Sequence, residues 1–140
     1  MKISILLPYK ENYSPEYPGA VSLFVSQTIK HSRYKNSIKV FGNSNFKSIL
    51  SNNYTDINLN KASPFQSQTK NYVNKFVELQ KKIKTDIIEV HNRPSYLKYF
   101  DKLDSKIVLY FHNDPLEMDG SKKTDERLNL LMNCEKIIFN

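Results

Sequence analysis

The chain of 140 residues is poor in cysteine and glycine and has no tryptophan. Cys134 is its single cysteine, so an intrachain disulfide is excluded and a cysteine-based metal site is not expected. We predict that Cys134 is a small core residue. Its three glycines, at positions 19, 42 and 120, are too far apart to form the GxGxxG loop of dinucleotide-binding proteins.

Long apolar runs are missing as well. The apolar run at residues 1–8 is far shorter than a signal peptide requires, and no later segment approaches the roughly 20 apolar residues of a membrane span. With 39% hydrophobic and 25% charged residues, the composition is typical of a globular protein, and the length suits one domain with a hydrophobic core. We therefore expect a single folded domain located in the cytoplasm.

Negative charge is scarce, since 21 Lys and Arg against 14 Asp and Glu give a net charge of +7. The excess could serve nucleic acid, an anionic membrane surface or an anionic small molecule, or could reflect a compositional drift toward Lys, Asn and Ile. The lysines are dispersed and no RNA-binding aromatic cluster is present, so nucleic acid binding is not expected. The basic run at residues 30–35, with Lys39, could contact anionic lipid at the inner face of the membrane or be a solvated helix end.

Short apolar segments alternate with amphipathic segments along the chain. Strands are predicted at 2–7, 37–42, 56–59, 86–90, 106–111 and 136–139. Helices are predicted at 19–32, 69–84, 95–103 and 125–134, with a short helical turn at 46–50 and a polar loop at 60–68. Because the strands are continuous apolar runs, they indicate a parallel sheet covered on both faces. We predict a Rossmann-like, doubly wound α/β fold with a mainly parallel sheet of about six strands.

Polar residues directly follow three of the predicted strands. Ligands of doubly wound sheets bind beyond the carboxyl ends of the strands, so these residues are the first candidates for a site. They are Tyr9, Lys10 and Glu11 after the first strand, His91, Asn92 and Arg93 after the fourth, and His112, Asn113 and Asp114 after the fifth.

His91 and His112 occupy equivalent places after two strands, and three interpretations are open. They could bind a metal with Glu89, Asp114 or Glu117, but no metal-binding motif or tight cluster is present, and we predict no metal site. They could cap the strand ends through hydrogen bonds to loop backbone. In the third interpretation, His112 polarises or hydrogen-bonds a polar ligand in the crevice. His31, which lies in the basic run, is predicted to be solvated.

The loop SPEYPGAVSLFV joins the first strand to the first helix. Gly19 and Ala20 fall at the first helical turn, where backbone N–H groups and the helix dipole favour anions. Gly19 would allow close approach of a phosphate, or it could simply start the helix tightly against the sheet. Ser22 lies in the same turn, but without a GxSxG elbow it is not predicted to be a nucleophile.

Five segments of the chain together resemble a known family. They are KISILLPYKE, SPEYPGAVSLFV, DIIEVHNRP, KIVLYFHNDP and CEKIIFN, and their order resembles the N-terminal domain of GT-B glycosyltransferases of the retaining family 4 type. The resemblance covers essentially all 140 residues. It implies a two-domain enzyme in which the N-terminal domain binds the acceptor and the C-terminal domain binds most of the nucleotide sugar, without a cofactor.

The resemblance also implies roles for individual residues. Gly19 and Ala20 match a Gly-Gly pair that approaches the donor diphosphate, with alanine replacing the second glycine. His112 matches a histidine that hydrogen-bonds the transferred sugar, and it is our predicted catalytic residue. The predicted lining of the acceptor side consists of Tyr9, Glu11, His91, Asn92, Arg93, Asn113 and Asp114.

These observations favour one function and leave two alternatives. We expect the N-terminal part of a glycosyltransferase that moves sugar from a nucleotide sugar to a glycan or lipid-linked acceptor, in lipopolysaccharide, capsule or similar glycan synthesis. Because the chain stops within the predicted strand KIIFN, we expect a longer enzyme and no transferase activity from these 140 residues alone. The alternatives are a non-catalytic module that binds a phosphorylated ligand or a partner protein, and an unrelated nucleotide-binding enzyme that uses His91 and His112 together.

Overall fold

The computed structural model describes residues 1–59 and 67–140, so most of the predicted polar loop at 60–68 lies outside the described residues. The strands are β1 (Ile3–Leu6), β2 (Ile38–Gly42), β3 (Tyr54–Asp56), β4 (Ile87–His91), β5 (Lys106–Phe111) and β6 (Lys136–Phe139). The α-helices are α1 (Ala20–His31), α2 (Gln68–Ile83) and α3 (Thr124–Asn133). Short 3₁₀ segments lie at Lys35–Ser37, Pro94–Tyr99 and Pro115–Glu117.

The six strands form one parallel sheet in the order β3-β2-β1-β4-β5-β6. The chain builds outward from β1 to β3, returns to the other side of β1 with β4, and continues outward to β6. The strand order therefore reverses between β1 and β4, and the carboxyl ends of all the strands meet at one edge. The predicted Rossmann-like α/β fold is confirmed.

Helices cover both faces of the sheet, as predicted. One face of the sheet packs against α2, the Pro94–Tyr99 segment and α3, and together they form the larger core cluster. The other face packs against α1, which contributes Val21, Val25 and Ile29. These residues recur at the spacing of one helical face, which is why the sequence predicted this helix within one or two residues of its ends.

Three predicted elements differ from the structure. The predicted strand at 56–59 lies at Tyr54–Asp56, where an aromatic and a β-branched residue pair with β2 better than Asn58 and Leu59 would. The predicted helix at 95–103 is only the 3₁₀ segment Pro94–Tyr99. The predicted turn at 46–50 is not helical, because the backbone N–H of Leu50 donates to the Tyr13 carbonyl instead of to its own segment.

Two single-residue predictions have clear outcomes. Cys134 is half-buried against the larger core cluster, so the prediction of a core residue is confirmed only in part. Burial raises the pKa of its thiol to about 11. His31 is exposed at the end of α1, as predicted. Within residues 1–59 and 67–140, no helix is both long and apolar enough to cross a membrane.

Candidate functional site

The site candidate at the carboxyl edge of β4 and β5 is created by strand register. His91 lies opposite Tyr110 in the parallel ladder. Because side chains alternate between the two faces of a strand, Glu89 and His91 share one face of β4, and Tyr110 and His112 share the same face on the β5 side. The register thus brings a carboxylate, two imidazoles and a phenol together beneath α1.

The carboxylate and the two imidazoles form a continuous hydrogen-bonded row. Glu89 Oε1 lies 2.8 Å from His91 Nε2. On the other side of the ring, His91 Nδ1 lies 2.8 Å from His112 Nε2. The remaining nitrogen of His112, Nδ1, lies 3.4 Å from the side-chain nitrogen of Asn140. We call Glu89, His91 and His112 the carboxylate–histidine row.

Aromatic rings hold both imidazoles in place. The Tyr110 ring stacks on His91, with centroids 4.8 Å apart and planes 10° from parallel. Phe24 of α1 packs edge-on against His112 at 4.8 Å and against His91 at 6.0 Å. His91 is fully buried, whereas His112 is partly exposed at the edge of the sheet. Of the two histidines, His112 is therefore the one that a ligand can reach.

Asn92 joins the two loops that follow β4 and β5. Its backbone is left-handed, with φ of 51°, a conformation that asparagine tolerates better than most residues. Its side-chain oxygen accepts a hydrogen bond from the backbone N–H of His112 at 2.7 Å, and its amide donates to Asn113 Oδ1 at 2.7 Å. Asn92 is buried, so this link fixes the backbone of His112 in place.

The electrostatics of the row favour a neutral His112. Burial lowers the pKa of His112 from its ordinary value of 6.5, and the neighbouring His91 lowers it further, while Glu89 opposes the shift. A neutral imidazole can accept a hydrogen bond or a proton from a ligand. Among the described residues, no group of three or more His, Cys, Asp or Glu side chains is arranged to hold a metal ion.

The structure places Glu11 at the predicted diphosphate loop. Glu11 Oε1 accepts a hydrogen bond of 3.0 Å from the backbone N–H of Ser22, in the first turn of α1. A Cβ atom added at Gly19 would overlap the same carboxylate. The positive end of α1 is thus occupied by an anion of the protein itself, and a diphosphate could bind at Gly19 and Ala20 only after this carboxylate moved aside.

The other predicted site residues do not join the carboxylate–histidine row. The Tyr9 ring lies 5.4 Å from that of Tyr72, which belongs to the core on the opposite face, and Lys10 is exposed in a left-handed conformation. Arg93 is exposed and donates to the carbonyl of Asn92. Asp114 is exposed and caps the segment Pro115–Glu117. Their predicted roles in lining an acceptor site stay predictions.

Sequence reasoning missed part of this arrangement. It considered Glu89 only as a metal ligand and did not assign Phe24, Tyr110 or Asn140 to the site. The spacing of Glu89 and His91, two residues apart in one strand, was the available signal, because such residues share a face. The contact of Phe24 with both imidazoles depends on how α1 lies across the sheet, which no short-range pattern encodes.

A separate cavity of about 570 Å³ lies between the Pro94–Tyr99 segment and α3. Its charged lining includes Lys98, Asp101, Lys122 and Glu126, which is a balanced mixture of both signs. The cavity contains neither histidine of the row. The candidate site is the carboxyl edge of β4 and β5, because ligands of doubly wound sheets bind at that edge and because burial there lowers the pKa of His112.

No protein-family model matches the chain, and no curated protein is significantly similar to it.

Proposed function

We propose that the chain is the acceptor-side Rossmann-like domain of a two-domain retaining glycosyltransferase of the GT-B type, family 4. The whole protein would transfer a sugar from a nucleotide-sugar donor to a hydroxyl of a glycan or lipid-linked acceptor. Support comes from the sequence resemblance, from the strand order, and above all from one observation. A neutral, partly exposed His112 is held rigidly at the ligand edge of the sheet.

His112 has the features that such a reaction needs at this position. Its backbone N–H is bonded to Asn92, and its ring is fixed by His91 and Phe24, so little side-chain freedom would be lost when a sugar hydroxyl binds. A hydrogen bond from a fixed group near the reacting centre becomes stronger as charge develops in the transition state, and the group does not have to reorganise. His112 is therefore the proposed catalytic residue.

The loop at Gly19 and Ala20 is proposed to approach the donor diphosphate only in the complete enzyme. The Glu11 carboxylate holds the anion position at the first turn of α1 in its absence. Movement of Glu11 would then accompany donor binding. A stand-alone phosphate-binding module would have to displace the same carboxylate, so this contact does not distinguish that alternative from the proposed function.

A second candidate function, an unrelated enzyme that uses both histidines, is supported by the direct bond between the two rings. Separate His112→Gln and His91→Gln variants distinguish the two proposals. A glycosyltransferase in which only His112 contacts sugar loses more activity at His112. An enzyme with two reacting histidines loses activity to a similar extent at both positions.

The proposed function is tested on the complete protein encoded by the gene. The purified protein is incubated with a panel of nucleotide sugars and hydroxyl acceptors, and nucleotide release is measured. We expect His112→Ala to lower kcat by about 100-fold or more. His31→Ala, at an exposed histidine on the far end of α1, is the matched control and should leave kcat unchanged.

Two results would contradict the proposal. One is an absence of nucleotide release with every donor and acceptor in the panel. The other is a His112→Ala variant with wild-type activity. The 140-residue chain by itself is expected to release no nucleotide, because the donor is held mainly by the second domain.

A further inference from the structure

We propose that Glu89 is a positioning residue which, acting through His91, fixes the nitrogen of His112 that carries the proton. His112 would then present only a hydrogen-bond acceptor to its ligand. The inference rests on the proposed function solely for the identity of that ligand. The geometry of the carboxylate–histidine row carries it independently.

The first step is the bond between Glu89 and His91. A carboxylate can only accept hydrogen bonds, so the nitrogen 2.8 Å from Glu89 Oε1, His91 Nε2, must carry a proton. In a neutral imidazole only one nitrogen carries a proton. When His91 is neutral, its Nδ1 is therefore bare and can act only as an acceptor.

The second step is the bond between the two imidazoles. His112 Nε2, at 2.8 Å from the bare His91 Nδ1, must donate and so must carry the proton of His112. His112 Nδ1 is then the bare nitrogen. Its neighbour at 3.4 Å is the amide nitrogen of Asn140, which is a donor, so this contact also suits an acceptor at Nδ1.

Solvent does not compete with Glu89 for control of this row. His91 is fully buried between Tyr110 and Phe24, and both of its ring nitrogens are already occupied by Glu89 and His112. Glu89 is itself only 21% exposed. The tautomer of His91 is therefore set by Glu89, and that of His112 follows from His91.

The consequence is a restriction on ligand chemistry. A bare Nδ1 binds a hydroxyl or another donor and rejects the oxygen of a phosphate or carboxylate, which also can only accept. Such discrimination is strong when the polar atom would otherwise lose its partner. The predicted ligand class at His112 is therefore a hydroxylated compound, such as a sugar, rather than an anion.

The test is a nitrogen NMR measurement on the 140-residue chain, labelled with ¹⁵N-histidine and held at pH 8 without substrate. We expect the Nε2 of both histidines to show the chemical shift of a protonated nitrogen and both Nδ1 atoms that of a bare nitrogen. In Glu89→Gln, the side-chain amide can donate a hydrogen bond to His91 Nε2. The hydrogen bonds of the row can then reverse their direction, with His91 Nδ1 donating to His112 Nε2. We expect the Nδ1 shift of His112 to move toward the protonated value.

Matched variants separate positioning from a general effect on structure. Glu78→Gln, on the exposed side of α2, should leave all histidine shifts unchanged. Glu89→Asp keeps a carboxylate at this position, so we expect its histidines to keep the wild-type tautomers. A proton on His112 Nδ1 in the wild type would overturn the inference even if Glu89→Gln failed to fold. Unchanged tautomers in a folded Glu89→Leu, which removes the acceptor altogether, would overturn it too.

The proposed function and this inference fail independently. The NMR measurement uses no donor or acceptor, so an absence of transferase activity in the complete protein would contradict only the proposed function. A wrong tautomer would contradict only the role of Glu89.

Discussion

At the scale of single residues, Gly19 is required by the carboxylate beside it rather than by its own backbone angles. Its φ of −74° and ψ of 156° are extended values that most residues adopt. A Cβ at this position, however, would overlap Glu11 Oε1. Gly19 therefore leaves the space in which Glu11 caps α1.

We predict that Gly19→Ala destabilises the protein by about 1–2 kcal/mol, because the new methyl group pushes the Glu11 carboxylate away from the Ser22 N–H. The free energy of unfolding is measured by urea denaturation. In a Glu11→Ala background the clash is absent, so the same Gly19→Ala change should cost much less. An equal cost in both backgrounds would show that the carboxylate is not the reason for glycine.

The sequence predicts some of these residue positions better than others. It placed His91 and His112 at the ligand edge because each directly follows an apolar strand, and the structure brings their rings together. It did not predict that Glu11 turns back to α1, because that path depends on the left-handed backbone of Lys10, with φ of 64°. Lysine gives no signal for this conformation in the way that glycine does.

At the scale of elements, α2 is tied to the carboxyl end of β1 by one buried hydroxyl. Tyr72 is fully buried and donates a hydrogen bond of 2.9 Å to the carbonyl of Leu7, immediately after β1. The loop that carries Glu11 and Gly19 begins at this point. The position of α2 on one face of the sheet is thereby linked to the loop that begins α1 on the other face.

We predict that Tyr72→Phe lowers the free energy of unfolding by about 1–2 kcal/mol, since the buried Leu7 carbonyl loses its donor while the ring packing is kept. Tyr17→Phe, at a tyrosine that is 72% exposed, is the control and should change stability by less than about 0.5 kcal/mol. Thermal and urea denaturation measure both variants. If Tyr72→Phe leaves the free energy of unfolding unchanged, this hydrogen bond does not stabilise the loop.

Elements with a strong apolar periodicity could be predicted from the sequence, whereas elements whose bounds are set by neighbouring elements could not. α1 and α2 follow from apolar stripes, and the predicted bounds lie within one or two residues of the observed ones. The predicted helix at 95–103 spaces Tyr96, Phe100 and Leu103 as a helix would, but only Pro94–Tyr99 is helical, and it forms a 3₁₀ segment. β3 was displaced because its bounds are set by pairing with β2.

At the scale of the whole molecule, the carboxylate–histidine row makes stability depend on pH. The pKa of His112 is lowered in the folded state from its ordinary value of 6.5. Between that lowered value and 6.5, the unfolded chain binds more protons than the folded chain. The free energy that His112 contributes to folding is therefore fully present above pH 6.5. It is lost as the pH falls through the pKa of His112 in the folded state.

We predict that the free energy of unfolding falls between pH 7.5 and pH 5.5 in the wild type and falls less in His112→Gln. His31→Gln, in which the altered residue is exposed, should keep the wild-type slope. Urea denaturation at several pH values measures the slopes. A His112→Gln variant with the full wild-type slope would contradict the lowered pKa of His112.

The central position of β1 has a consequence for how the chain is made. β1 pairs with β4, and the backbone N–H of Lys2 bonds to Asp86, a partner 84 residues later in the chain. At synthesis rates of about 5–20 residues per second, β1 leaves the ribosome on the order of 4–17 s before this partner exists. For that interval one edge of an apolar strand is unpaired. We therefore expect the nascent chain to be most vulnerable to misassembly before β4 emerges, and closure of the sheet to be a slow, non-local step in its folding.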